Sequence, residues 1–432
     1  MAAEMLLQYL WEHRLWEQCD SFTTDGRRLV ILDPGLRNNN AGPDFFNAKI
    51  ELDGKVWAGN VEIHVRASDW RRHNHQHDPA YDNVILHVVG IEDEVISRRD
   101  GSPIPQFIIP FTDDYRRRYD AMVTNPAQLP CADEIALIPP IYLTDWISSL
   151  GYERLYAKAD RIIDYNQRFG GDWLATAYVA MARALGFSTN AEPMERLAIA
   201  TPLRALLKHR TELPMVEALL LGQAGFIPGD NTGLSPEDVA YVDTLRQHYH
   251  FLSAKYGLKA PGDLGWKMAR MRPANSPLRR IAALVAMIAD GFDFGRQFIH
   301  ITSDADARRL LDVHLYGYWV NHYSIGRAGV HAPVAFSADT VTRLIINAVV
   351  PLLYAYGTTI GSDSHCNKAV ELLEAQDPES NSVVQIFTSV GVPCHNAFTS
   401  QALIQLRRAY CEPRKCLYCR LGHRILAAKA KP

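Results

Sequence analysis

The sequence predicts an α+β protein: an N-terminal α/β core, then a large all-α region with a cysteine-rich tail. Three observations predict it. Short β-rich runs are confined to roughly the first 112 residues, helical patterns succeed one another from 141 to 410, and three cysteines fall within nine residues at 411–419. At 432 residues the chain has room for about three folding units of roughly 150 residues. Apolar residues at 47% and charged residues at 22% exclude disorder, collagen and a disulfide-stapled miniprotein.

The elements follow in order. Residues 5–16 form an amphipathic helix. Glu4 stands where a signal peptide needs a cation, and Glu12, His13 and Arg14 interrupt the apolar run, so the cytoplasm is the expected compartment. Strands are expected at 29–32, 45–52, 55–65, 84–89 and 106–109. Asp53-Gly54 joins the second and third as a hairpin, because that dipeptide readily takes positive φ. The polar stretch 67–83 is a helix or an ordered loop. Pro126, Pro130, Pro139 and Pro140 mark 126–140 as a linker between an α/β domain over 1–125 and a helical domain over 141–405. Helices are expected at 141–166, 173–185, 194–208, 216–223, 236–256, 276–290, 305–322, 338–356 and 368–374. The longest wholly apolar run, 281–289, is about half of the roughly 18 residues of a membrane span, and no such helix is expected.

The first chemical constellation lies between Gly42 and Val65. Side chains two apart on a strand share a face, so Asn60, Glu62 and His64 point one way while Val61, Ile63 and Val65 point the other. Asp44 opens the partner strand, which brings its carboxylate toward that of Glu62. Two carboxylates so placed suit Mg²⁺ or Mn²⁺, with open positions for water and a phosphate. Five histidines (His64, His73, His75, His77, His87) crowd into 59–89, where the chain average gives about one. On a helix His73 and His77 would share a face; on an extended segment His73, His75 and His77 would. Either set, with Asp69 or Asp78, can meet a metal or a phosphate, and Arg66, Arg71 and Arg72 supply positive charge. His87, on an apolar strand, is a satisfied core or site-wall residue rather than a ligand.

Pro43-Asp44 followed by Glu62-Ile63-His64 resembles the PD-(D/E)xK nuclease superfamily, with His64 where that superfamily carries lysine. The resemblance implies a restriction-endonuclease-like core of helix, strand hairpin, helix and further strand, with Glu12 of the first helix as a possible additional acid. It implies a divalent-metal-dependent nuclease in which Asp44 and Glu62 hold metal and His64 is base or third ligand. Over nearly its whole length the chain also resembles a bacterial family designated only as a domain of unknown function. That likeness rests on NNNAGPDF (38–45), GNVEIHVRASDW (59–70), MRPANSP (271–277) and YCEPRKCLYC (410–419).

The tail carries the second constellation. Cys411, Cys416 and Cys419 have metal-ligand spacing, and an odd total of seven cysteines suits a metal or cluster in a reducing compartment better than disulfides. His423 would complete a zinc site; Cys394, His395, Cys19 or Cys131 would serve from farther away, and four thiolates including Cys394 would suit an iron–sulfur cluster. Residues 407–432 hold five Arg and three Lys against Glu412 alone, so Arg407, Arg408, Arg414, Lys415 and Arg420 are candidate phosphate contacts. The expected partner is nucleic acid, DNA ahead of RNA, with no membrane. Two rival readings remain: a non-catalytic nucleic-acid-binding or scaffold protein with a structural metal, and a metallohydrolase of small phosphoesters. Walker, G-x-G-x-x-G, G-x-S-x-G and H-E-x-x-H motifs are absent.

Overall fold

A computed structural model describes residues 2–15, 21–38, 40–110, 113–125, 127–329 and 332–427. Trp16, Cys19, Asn39 and Pro126, each invoked above, lie outside these residues, as do Lys429 and Lys431 of the basic tail. The chain divides into two units. One takes in 1–146, 389–392 and 406–432, and the other 147–388 and 393–405. The division falls inside one long helix rather than at the proline-rich segment, and the cysteine-rich tail belongs to the N-terminal unit.

The N-terminal unit is built on helix α1 (Ala2–His13) and a seven-stranded sheet: β1 (Ser21–Phe22), β2 (Arg28–Asp33), β3 (Leu36–Arg37), β4 (Phe45–Leu52), β5 (Lys55–Arg66), β6 (Val84–Ile91) and β7 (Gln106–Ile108). The order is β1-β2-β4-β5-β6-β7, with β3 paired to β4. Pairing is antiparallel as far as β5 and parallel from β5 to β6 and β7. A parallel pair needs a crossover, and helix α2 (Asp69–Arg72) with two 3₁₀ turns, His75–His77 and Pro79–Tyr81, supplies it. The apolar positions of α1 (Leu6, Leu7, Leu10, Trp11) share one core with Phe45, Ala48, Ile50, Val61 and Ile63, and the tail adds Cys416, Leu417 and Leu426 to it. β5 and β6 approach closely at Gly59, where a Cβ would stand 2.4 Å from the Ile85 side chain and 2.7 Å from the Asn83 carbonyl oxygen.

The β4–β5 hairpin turns at Asp53-Gly54, both with positive φ (45° and 79°), as expected. Near the turn the strands pair Leu52 with Lys55 and Ala48 with Gly59, then slip by one residue so that Phe45 pairs with Val61. The slip is a β-bulge around Asn47, which sits at φ 56°. Continued without it, the register would set Phe45 opposite Glu62, and the core face of one strand would meet the polar face of the other. With it, Phe45 joins Val61 in the core and Asp44 falls opposite Glu62.

The second unit is helical. Its core includes Leu219, Leu220, Ile281, Leu284, Leu344 and Val349. Most expected helices form, among them Trp173–Leu185, Pro236–Tyr256 and Pro277–Ala289, the last capped by Ser276 with Pro277 at its first position. The helix expected over 194–208 is interrupted at Thr201-Pro202. That expected over 305–322 stops at Leu310, so His314, Trp319 and His322 do not share one helix. Buried Arg279 donates to the carbonyls of Trp319 (3.0 Å) and His322. Helical backbone continues from Ala338 to Ile360 through a π-turn at Ile345–Val349, which accommodates Pro351. By length and composition this segment could span a membrane, but Leu344, Ile345, Val349, Leu352 and Leu353 are buried in the unit's own core.

A β-branched residue tolerates the left-handed region poorly. Asn47→Val is therefore expected to lower the unfolding free energy by about 1–3 kcal/mol in a urea titration, whereas Asn47→Gly leaves it near the wild-type value.

Candidate metal centre

Asp44 and Glu62 are tied to each other through the backbone. The Asp44 N–H donates to Glu62 Oε2 (3.0 Å), and the Ile63 N–H donates to Asp44 Oδ2 (3.0 Å). Gln8 of α1 donates to Asp44 Oδ1 (2.9 Å). Glu62 is 5% exposed and Asp44 is half-buried. Burial first, and then the neighbouring Glu62 charge, push Asp44 up to about 7; burial pushes Glu62 up to about 8. Glu4, one turn before Gln8, adds its charge to both acids and to the field at His75.

Three imidazoles face this pair. His64 Nε2 lies 3.4 Å from Glu62 Oε1 and 3.1 Å from His73 Nδ1, and His75 Nε2 lies 3.3 Å from Glu62 Oε1. The ligand nitrogens of His64, His73 and His75 are all within 4.8 Å of one another. A tetrahedral ion with bonds of about 2.0–2.1 Å holds its donors about 3.3 Å apart, and the His64–His73, His64–Glu62 and His75–Glu62 separations of 3.1, 3.4 and 3.3 Å are of that order. Among the described residues the buried His75 Nε2 has no hydrogen-bond partner, a donor set that a metal ion would satisfy. Stacking on Tyr81 at 3.8 Å between centroids fixes its ring.

His64, 1% exposed, is held far below the usual imidazole value by burial and by its histidine neighbours, and so stays neutral. Its Nδ1 meets Nε2 of His87 at 2.9 Å. His87 stands beside Glu62 in the parallel register and is fully buried. A proton on His64 Nδ1, donated to His87, leaves Nε2 free toward the acids, the arrangement that orients metal-bound histidines. His73 and His75 converge by neither of the expected routes. Between them Asn74 adopts φ 62°, a left-handed turn that swings both rings toward His64 and leaves His77 exposed.

Other candidates fall elsewhere. Glu12 is bound to Arg37 (3.2 Å) rather than directed at the acids; Glu4 and Gln8, at i−8 and i−4 on the same stripe of α1, take the place expected for it. The Glu4, Gln8, Glu12 spacing was the available signal. Asp69 accepts from the Arg66 N–H and pairs with Arg72, and Asp78 caps the second 3₁₀ turn. Arg71 pairs with Glu94 at 2.9 Å. In the tail, His423 Nδ1 meets the Tyr9 hydroxyl at 2.6 Å. Arg407 donates to the Gln128 carbonyl and pairs with Glu412, and Arg414 donates to the carbonyls of Asn125 and Ala127, so both serve as internal clamps. Arg408 and Lys415 are exposed.

The model of the family described as "Protein of unknown function (DUF2851)" matches residues 4–382. The chain belongs to this family. The match includes every DUF2851 residue of the acid–histidine cluster and stops before the cysteine-rich tail. No curated protein and no solved structure matches the sequence significantly.

Without metal, the two acids carry a definite pH signature. Both hold their protons above the ordinary carboxylate range, so between about pH 4 and about pH 8 the folded DUF2851 chain binds protons that the unfolded chain has released. Their stabilising effect is present below that window and lost as pH rises through it. In chelator, the melting temperature is expected to fall by several degrees between about pH 5 and pH 8, and Glu62→Gln is expected to flatten that fall. A profile unchanged by the substitution would contradict the assignment.

Proposed function

We propose that this protein is a divalent-metal-dependent nuclease that hydrolyses phosphodiester bonds at the acid–histidine cluster. The observation carrying the reading is the gathering of the His64, His73 and His75 ring nitrogens, two of them within 3.4 Å of Glu62 Oε1, beside the backbone-linked Asp44–Glu62 pair. The order of elements supports it as well: an N-terminal helix, an antiparallel hairpin bearing Asp44 and Glu62, a crossover and a parallel strand agree with a restriction-endonuclease-like core.

Glu62, His64, His73 and His75 are the residues that would hold the ion. Three imidazoles with a carboxylate favour Zn²⁺, Mn²⁺ or Fe²⁺ over Mg²⁺, which prefers an all-oxygen shell. A bound cation of this kind supplies Lewis acidity and lowers the pKa of water. Buried and anchored by His87, His64 is a ligand rather than a mobile base. Asp44 is poised near neutrality and is suited to take the proton from the attacking water. Gln8 and the Ile63 N–H orient its two oxygens. His73 is exposed and forms the open side of the cluster, next to Arg71 and Arg72. Both arginines are more than half exposed in surface ion pairs worth about 0–1 kcal/mol, which a nucleic-acid phosphate can replace.

Labelled DNA and RNA incubated with Mn²⁺, Zn²⁺ or Mg²⁺ test the reading. Cleavage that is lost in chelator and falls about 100-fold or more in Asp44→Asn and Glu62→Gln is the expected result. Tight metal binding with no cleavage of either nucleic acid would instead favour a non-catalytic scaffold, a role that the near-complete burial of Glu62 and His64 also suits. Turnover of small phosphoesters alone would make the protein a metallohydrolase of another class.

A further inference from the structure

The stretch MRPANSP (271–277) leads into the helix Pro277–Ala289 and lines a cavity of about 520 Å³ within the helical unit. That volume falls in the range of roughly 300–1,000 Å³ typical of small-ligand sites. Asn190 fixes the chain just ahead of the stretch. Its side chain donates to the Lys267 carbonyl (3.0 Å) and accepts from the Lys267 N–H (2.9 Å), tying that chain to the turn that follows the helix Trp173–Leu185. On the same turn Phe187 takes a left-handed backbone (φ 51°), which a bulky side chain adopts only at a cost, and its ring lines the cavity.

Five arginines line this cavity, Arg270, Arg272, Arg279, Arg280 and Arg343, and Asp339 is the one acid among its described lining residues. Asp339 pairs with Arg343 (2.9 Å), one turn along the same helix. Among the described residues the other four arginines have no carboxylate at ion-pair distance. Arg279 and Arg280 are buried, 3% and 5% exposed, while Arg270, Arg272 and Arg343 are exposed. Arg279 gives its N–H groups to the neutral carbonyls of Trp319, His322 and Pro333, which fix the guanidinium without cancelling its charge. Arg280 donates to Asn275 Oδ1 (2.6 Å) and lies 4.4 Å from the centre of the Phe187 ring, with Arg343 5.9 Å from the same centre. Its Nε is buried and has no hydrogen-bond partner among the described residues. A buried charge is costly unless it is paired. Burial first, and then the charges of Arg279 and Arg343, push Arg280 down to about 10, and it is still a cation at neutral pH.

We propose that this arginine-lined cavity binds the phosphate group of a small phosphorylated ligand, up to the size of a nucleotide. A guanidinium presents its N–H donors in a planar fork that matches phosphate oxygens. Arg279 and Arg280 stand in the first turn of a helix of 13 residues, whose positive dipole end adds to the attraction. The negative charge of a phosphate monoester answers the two buried guanidinia, which a neutral ligand would leave uncompensated. Phe187 and Phe336, the latter 5.7 Å from the Arg280 guanidinium, give the remainder of the ligand an apolar wall. The burial of Arg279 and Arg280 favours a terminal phosphate that can enter the cavity over the backbone of a duplex passing across a surface. None of His64, His73 and His75 lines the cavity, so its role is independent of the nuclease reading.

The test is calorimetric titration of the full-length protein in chelator, which keeps metal out of the acid–histidine cluster, with pyrophosphate, ADP, adenosine and citrate at physiological ionic strength. Pyrophosphate and ADP are expected to bind at one site per chain with a Kd below about 1 mM, and adenosine is not. Arg280→Gln is expected to weaken ADP at least about tenfold and the exposed Arg272→Gln about threefold, while Glu62→Gln leaves its affinity unchanged. Arg272→Gln decides the question where Arg280→Gln fails to fold. Absence of binding at millimolar pyrophosphate and ADP, affinity unchanged in every folded arginine variant, or citrate bound as tightly as pyrophosphate would overturn the proposal. So would displacement of ADP by a DNA duplex without terminal phosphates at comparable affinity, which would make the arginines a nucleic-acid surface instead.

Discussion

Side chains directly opposed across an antiparallel pair share a face, and one inserted residue exchanges the faces of everything beyond it. The cluster in this protein depends on that rule. The turn at Asp53-Gly54 sets a register that alone would pair Asp44 with Ile63, and the bulge at Asn47 resets it so that the two acids meet while Phe45 remains in the core. Backbone amides then lock the pair, since each acid accepts an N–H from the other's strand. The parallel neighbour β6 sets His87 beside Glu62, and the crossover that parallel pairing requires carries His73 and His75.

The cluster is unfavourable as the polypeptide makes it. Two carboxylates are pushed toward neutrality by burial, Asp44 also by the Glu62 charge, and burial opposes protonation of His64 and His75. A fold accepts such crowding where the surroundings over-determine it, here through α1, the hairpin and the crossover together. A cation would relieve both difficulties, because it neutralises the acids and uses the imidazoles in their uncharged form.

Much of this was legible in the sequence. The hairpin, the shared face of Glu62 and His64 and the neighbouring strands follow from period-two patterning and one Asp-Gly turn, all local signals. What escaped was set by single backbone angles or by distant packing. Nothing in Phe45-Phe46-Asn47 announces a bulge, and nothing in His73-Asn74-His75 separates a left-handed turn from a helix or an extended run. Glu4 and Glu12 lie on one stripe, and only the position of Arg37 decides which of them is occupied elsewhere. Spacing offered His423 as a fourth tail ligand, while in the fold its Nδ1 meets the Tyr9 hydroxyl. The helix expected over 305–322 ends at Leu310, and Gly317 within the expected run takes a left-handed backbone (φ 54°) that an α-helix does not contain.

The N-terminal unit is assembled from both ends of the chain, and Leu417 and Leu426 complete the core that α1 and the sheet begin. During synthesis the ribosome delivers that sheet first and its last packing elements more than three hundred residues later. The helical unit is complete, and free to fold, before its predecessor. Until the tail emerges, the nascent sheet carries uncovered apolar surface of the kind that chaperones bind.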